Sequence, residues 1–174
     1  WGSDYAVYHR KLKNIVLSTK YDILVYNNQY IDAVYFSSSN GYTQNAKYVW
    51  KNEVDYLQSV PSPWDDQLTN TTKEYRFTVN EFLNIFNDTF NANIEYLSDI
   101  EVIRSSSGIF SSIKYNNHAF TSAEMRTAFG LRSPVFGNEH SGHMLYITTY
   151  GYGKLVGVSQ FGTYCMCEGG GTYK

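Results

Sequence analysis

Charge is scarce in this chain of 174 residues: Lys, Arg, Asp and Glu make up 17% of it, and the formal net charge is −2. So little surplus charge gives no general pull on nucleic acid or on an anionic membrane, and no nucleic-acid partner is expected. Cysteine is scarcer still. Cys165 and Cys167 form a C-x-C pair, too close in sequence for easy disulfide geometry, and two cysteines do not define a redox compartment. No apolar run reaches the ~18 residues of a membrane-spanning helix, and no signal-peptide pattern is visible. Internal repeats are absent. Low complexity is confined to two serine triplets and to Gly169-Gly170-Gly171. The chain starts at Trp1 and stops at Lys174 in mid-pattern, which is expected of a fragment or a processed protein. Its length suffices for one domain with a real core.

Aromatic side chains are what the sequence has in quantity, at 17% of residues, with 17 tyrosines. Abundant Tyr and Asn beside little charge suit a neutral, hydroxylated partner; they also suit simple codon bias. The stretch from Tyr35 to Asp65 is the most informative. An apolar run ending in Val34-Tyr35-Phe36 leads into Ser37-Ser38-Ser39, and Asn40-Gly41 then marks a tight turn. Thr43 stands where an N-cap belongs, ahead of Ala46 to Trp50. Pro61 and Pro63 stiffen the exit through Trp64-Asp65. Small hydroxyls beside Tyr and Trp faces suit sugars, which accept hydrogen bonds at their rims and stack through their C–H faces.

Ser37-Ser38-Ser39-Asn40-Gly41-Tyr42-Thr43, Val49-Trp50, Tyr56-Leu57 and Val60-x-Ser62-Pro63-Trp64-Asp65 together resemble the signature of the stage II sporulation protein D family. Its usual form runs S-S-G-G-x-T, V-W, P-Y-L and V-x-S-x-x-D; Asn40 replaces the first Gly and Asp55 the Pro. The resemblance extends upstream through Ile15-Val16, Thr19, Ile23 to Tyr26, Ile31 and Ala33. Downstream it covers Phe120 to Arg126 and Leu131 to Phe136. It ends on Gly151 to Gly162, which is similar to G-x-G-H-G-V-G-M-S-Q-x-G. There Lys154 stands for the family's His and Leu155 for its Gly. Beyond Gly162, Cys165-Met166-Cys167-Glu168 and three glycines depart from the family's alanine- and glycine-rich helix.

Patterning predicts the elements. A helix is expected over Lys11 to Thr19, with Leu12, Ile15 and Val16 on one side. A hairpin over Ile23–Tyr26 and Tyr30–Phe36 turns at Asn27-Asn28. Tyr75 to Val79 alternates as a strand, and Thr78-x-x-Glu81 opens a helix to Phe90 with a capping box. Ile94 to Arg104 reads as a strand pair or one bent strand, and Ser105 to Gly108 as a turn. A second hairpin runs from Ile109 to Phe120 about Asn116-Asn117. Thr121-x-x-Glu124 opens a helix to Phe129, with Gly130 as C-cap. His143 to Thr149 is a strand. The fold class is α+β: a largely antiparallel sheet built from hairpins, with a few short helices.

The resemblance implies peptidoglycan processing, either lytic transglycosylation of septal glycan strands or enhancement of a cell-wall amidase. In the former, one carboxylic acid protonates the glycosidic oxygen and then takes a proton from the muramic 6-hydroxyl. The family's glutamate segment, S-E-M-x-x-x-W-P-x-E-A-L-K-A-Q, has no counterpart in residues 1–174. Glu53, Glu74, Glu81, Glu95, Glu101, Glu124, Glu139 and Glu168 all lie outside it, so no catalytic acid is assigned. Residues 1–174 are read as one domain lacking that catalytic segment and the family's C-terminal end. Some clostridial members bind zinc just before the first helix, but Trp1 to Arg10 holds only His9. His140-x-x-His143 with Cys165-x-Cys167 matches no zinc spacing. No metal or cofactor is expected. The expected glycan contacts are Ser38, Ser39, Asn40, Gly41, Thr43, Trp50, Tyr56, Ser159 and Gln160, with Thr43 and Gln160 sharing one groove. The expected partners are peptidoglycan glycan strands and other cell-wall hydrolases. The expected location is extracytoplasmic, at the cell wall or spore septum, by export or a membrane anchor. Two functions follow: an enzyme lobe, or a glycan-binding module that cuts nothing.

Overall fold

The computed structural model of the chain describes residues 2–50, 52–104 and 110–172. The expected serine turn at Ser105 to Gly108 lies outside the described residues. The chain divides into two compact units, residues 1–33 and 34–174. In the first, a short 3-10 turn leads into α1 (Tyr5–Thr19), followed by the strands β1 (Val25–Tyr26) and β2 (Gln29–Tyr30). Asn27 and Asn28 turn between them with φ of 47° and 62°. Both central residues are left-handed, as a two-residue hairpin of this twist requires, and asparagine tolerates that region. The return strand is shorter than expected. Residues 31–34 take no regular form before β3 (Tyr35–Phe36), which belongs to the second unit.

The second unit has an α+β architecture. It contains α2 (Ala46–Trp50), β4 (Thr72–Thr78), α3 (Val79–Phe90), β5 (Glu101–Arg104), β6 (Phe110–Tyr115) and β7 (His118–Thr121). Then follow α4 (Ser122–Ala128), β8 (Phe136–Ser141), β9 (Met144–Tyr150), β10 (Val158–Ser159) and α5 (Gln160–Glu168). One antiparallel sheet has the order β4-β9-β8 and another β5-β6-β7. Along β9 the burial alternates strictly, so Leu145, Ile147 and Thr149 point inward. The two sheets and α3 and α4 enclose a core that includes Phe82, Phe86, Phe120, Met125, Phe136 and Ile147. Phe82 stacks on Phe129 with ring centroids 4.7 Å apart. Burying such rings stabilises by about 2–3 kcal/mol each.

Both expected capping boxes form. Thr78 Oγ1 accepts from the Glu81 amide at 3.2 Å, while Glu81 Oε2 accepts from the Thr78 amide at 2.7 Å. These bonds, first from the Thr78 backbone and then from its hydroxyl, hold the Glu81 carboxyl below the ordinary glutamate range. The cap is therefore complete above that range and loosens as pH falls through the lowered folded value. Thr121 and Glu124 repeat the arrangement at α4. Elsewhere the pattern misled. Leu97–Asp99 is a 3-10 turn closed by Asp99, whose Oδ2 accepts from the Tyr96 amide at 2.9 Å, so only Glu101–Arg104 is strand. Phe136–Ser141 is a strand that carries too little alternation to read from sequence. The C-terminal stretch, though its composition departs from the family, still forms α5.

A second, smaller assembly surrounds β3. It pairs with β10 in parallel, Tyr35 opposite Val158 and Phe36 opposite Ser159, the one parallel pairing among otherwise antiparallel ladders of the described residues. The loop from Gly151 to Gly157 lies directly on this strand, and its glycines explain how. At Gly151 an added Cβ would sit 2.8 Å from the Ser38 carbonyl oxygen, and at Gly157 2.1 Å from that of Val34. Leu155 also has a positive φ, 61°, and is fully buried. The family's Gly at that position suits the backbone; here a leucine accepts about 1–2 kcal/mol of strain and fills the core beside Phe36 and Val135.

Two stability measurements check this packing. Gly157→Ala is expected to cost about 2–6 kcal/mol in urea unfolding, while Gly142→Ala, with a φ of 59° but nothing within 4 Å, costs about 1–2 kcal/mol; equal losses would reject the close approach. At Leu155, Ala is expected to be the worse replacement than Gly by about 1 kcal/mol, because Ala keeps the strain after the burial is lost.

Candidate functional site

Three stretches of the signature meet at one carboxyl group. Asp65 is 1% exposed and begins no ion pair among the described residues. Its Oδ2 accepts from Ser39 Oγ at 2.5 Å and from Ser62 Oγ at 2.9 Å, and its Oδ1 accepts from Ser159 Oγ at 2.7 Å. Ser39 follows β3, Ser62 precedes the 3-10 turn Pro63–Gln67, and Ser159 is the N-cap of α5. Two of the hydroxyls also receive backbone amides: Gly41 N donates to Ser39 Oγ at 3.2 Å, and Gly162 N to Ser159 Oγ at 3.0 Å. Gly162 must lack a side chain, since a Cβ there would lie 2.9 Å from Ser62 Oγ. A buried carboxyl is costly unless its lone pairs are filled. Three hydroxyl donors fill them here and, in doing so, pin together residues far apart in the chain.

The expected glycan contacts therefore divide. Ser38, Ser39, Gly41, Thr43 and Ser159 are buried, with Ser39 and Ser159 spent on Asp65. Ser38 is bridged to Tyr152 through the backbone. Thr43 is not a helix cap: its Oγ1 donates to the Gln58 carbonyl at 3.2 Å and accepts from the Val60 amide at 2.9 Å, closing the loop between them. Asn45 caps α2 instead, its Oδ1 accepting from Lys47 N at 2.9 Å. Gln160 is exposed, while Asn40, Trp50 and Tyr56 are half-buried. The Asn40 side-chain oxygen is buried with no hydrogen-bond partner among the described residues. Trp50 and Tyr56 both pack on the cluster of Ala46, Leu57 and Val156.

Trp50 also lines an open hollow of about 340 Å³ with Phe90, Glu124, Arg126, Pro134 and Lys154. Lys154 Nζ lies 5.9 Å from the Trp50 ring centroid. Thr43 and Gln160 do not line this hollow. The sequence reading missed Asp65 as the hub, although the Ser62-x-x-Asp65 spacing, which lets a hydroxyl reach a carboxyl one turn on, was a usable signal. It also missed that α4 would face Trp50, which no local pattern encodes. Among the described residues, no three His, Cys, Asp or Glu side chains gather as a metal site requires.

Asp65→Ala should destabilise the domain by about 3–5 kcal/mol, because three buried hydroxyls lose their acceptor at once. Asp65→Asn retains one carbonyl oxygen and should cost about half as much. Urea denaturation decides it; an alanine variant within 1 kcal/mol of the parent would mean that the hub holds nothing together.

With this geometry established, known proteins can be set beside it. No family model matches the chain. Stage II sporulation protein D of Bacillus amyloliquefaciens is 36% identical over 170 residues, covering 98% of this chain and 49% of that protein. Stage II sporulation protein D of Bacillus subtilis (strain 168) is 34% identical over 175 residues, covering 99% of this chain and 50% of that protein. An amidase enhancer of Bacillus subtilis (strain 168) is 23% identical over 210 residues, covering 91% of this chain and 30% of that protein. The chain thus spans about half the length of the two sporulation proteins it matches. Identity at this level along essentially its whole length agrees with the ordered motifs that Asp65 ties together, and the chain belongs to the stage II sporulation protein D family.

Proposed function

We propose that the protein works at the cell wall in sporulation, with this chain holding peptidoglycan glycan strands for a lytic transglycosylase reaction. The observation that carries the reading is identity with stage II sporulation protein D over nearly the whole chain. Its surface agrees with a glycan ligand. Trp50 and Tyr56 present half-exposed rings for stacking on sugar C–H faces, and Gln160 offers an exposed amide. The unfilled acceptor on Asn40 suits a ligand hydroxyl, which would remove the cost of leaving that oxygen unpaired. In this role Ser38, Ser39, Gly41, Thr43 and Ser159 shape the backbone that carries these groups.

No glutamate of the chain is assigned as the acid. Glu124, the carboxyl nearest in place to Trp50 in the lining of the hollow, has Oε2 occupied by the Thr121 amide and hydroxyl, both at 2.8 Å. Substrate on the outer face of the membrane makes the proposed location extracytoplasmic. A second reading rests on the likeness to the amidase enhancer: the chain holds glycan and partners a wall hydrolase without cutting.

Muropeptide analysis separates the two. The protein, incubated with purified sacculi, is expected to leave anhydro-muramic ends. Intact strands with firm retention would favour the second reading, and no retention at all would defeat both. Within the chain, Trp50→Ala should lower the melting temperature, since the ring packs on Ala46, Leu57 and Val156, and should weaken retention about tenfold when measured well below the variant's own melting point; undiminished retention there would remove Trp50 from the ligand face.

A further inference from the structure

The hollow beside Trp50 is built from two kinds of surface. Val49 and Trp50 come from α2, Phe90 from the end of α3, Ala123 and Ala128 from α4, and Pro134 from the stretch that follows α4. Pro134 is buried and the other five are half-buried, so these residues give the hollow an apolar floor that water wets poorly. Lys154 stands at the edge, exposed, on the loop that is pressed onto β3.

Among the described residues the Lys154 ammonium joins no ion pair and donates no hydrogen bond. Its Nζ lies 5.9 Å from the Trp50 ring centroid. Arg126, the second cation of the lining, has its Nε turned to the Arg132 carbonyl at 3.4 Å. Glu124, the carboxyl of the lining, already accepts from the Thr121 amide and hydroxyl at its Oε2, both at 2.8 Å. The hollow therefore offers a ligand an aromatic face, an apolar floor and a free donor beside that face.

Each of the three fixes one part of a ligand. An indole face takes the C–H face of a pyranose. An apolar floor beside it takes a small apolar group, and a free donor takes a neutral oxygen. An acetamido substituent carries both, a methyl and a carbonyl oxygen, on one short arm of the ring. A plain hexose would set a hydroxyl against the floor and lose its hydration there. A free amino group at the same position would bring a further positive charge up to Lys154 and Arg126. The volume, about 340 Å³, lies near the lower end for small-ligand pockets and suits a single sugar ring.

We propose that this hollow is a subsite that reads the N-acetyl group of one sugar stacked on Trp50. Lys154 donates to the acetamido carbonyl, the methyl seats on the floor, and glycan whose amino groups are free is discriminated against. The inference deepens the glycan reading above and rests on it.

The test is calorimetric binding of three soluble pentasaccharides at mildly acidic pH, where free sugar amines are charged. They are N-acetylated chitopentaose, its fully de-N-acetylated form, and cellopentaose, which has the same linkage with hydroxyls in place of the acetamido groups. The acetylated form should bind at least about tenfold more tightly than cellopentaose, and the de-N-acetylated form should bind most weakly. Lys154→Met should bring the affinity for the acetylated form down to about that for cellopentaose, whereas Lys154→Arg, which keeps a donor, should retain the preference. Lys154 is exposed, so both variants should melt as the parent does. Equal binding of the acetylated form and either of the others would overturn the subsite while leaving the glycan reading in place. A preference that survives Lys154→Met would overturn the role given to Lys154. Absence of binding to all three, with retention on sacculi intact, would overturn the subsite alone; loss of both would overturn the glycan reading as well.

Discussion

One buried carboxyl group organises the part of this protein where its signature lies. Asp65 takes a hydroxyl hydrogen from each of three serines, which stand at residues 39, 62 and 159. A buried hydrogen bond is worth about 0.5–1.5 kcal/mol, and leaving its donor without an acceptor costs about 1–3 kcal/mol. The arrangement therefore works as a lock: each serine is tolerable only while Asp65 is in place, and Asp65 is tolerable in the interior only while the serines are. Through Ser159 the lock fixes the start of α5, and through Ser39 it fixes the turn at Gly41.

Close backbone contact is the second constraint and follows from the first. With β3 and β10 joined in parallel, the loop between Gly151 and Gly157 has no room except on top of the strand. Glycine at 151, 153 and 157 is a steric demand, because each has a positive φ and each would drive a Cβ into backbone or a neighbouring side chain. Leu155 occupies the same kind of backbone and trades strain for buried apolar area. Together these constraints leave the rings and cations outward. Trp50 and Lys154 come from opposite ends of the signature, and they meet because the loop carrying Lys154 is pressed onto the strand that leads to α2.

Much of the fold was legible because local chemistry dictates it. The two S/T-x-x-E spacings at Thr78 and Thr121 announced helix starts that formed with both bonds of the box. Asn27-Asn28 and Asn116-Asn117 announced turns, and asparagine accepts the left-handed conformation that Asn27, Asn28 and Asn116 adopt there. The misreadings were non-local. Thr43 has the composition of a cap, but Val60, seventeen positions away, claims its hydroxyl. The strand Phe136–Ser141 exists because β9 pairs with it, not through its own pattern. At the site, the fold joins segments that carry the expected hydroxyls, and two of those hydroxyls are spent inside it. Ser39 and Ser159 converge as expected, yet onto Asp65 and away from solvent. A sequence displays a hydroxyl without displaying its partner.

The central claim is a division of labour: the serine hydroxyls of the signature bind the protein to itself, and the half-exposed ring of Trp50 is left for the ligand proposed above. Residue-resolved NMR titration with soluble glycan strands addresses it directly. The account predicts shifts in the Trp50 indole and in the Arg126 and Lys154 amides, while the Gly41 and Gly162 amides, bonded to Ser39 and Ser159, stay in place. Shifts centred on Gly41 and Gly162, with Trp50 unmoved, would contradict it.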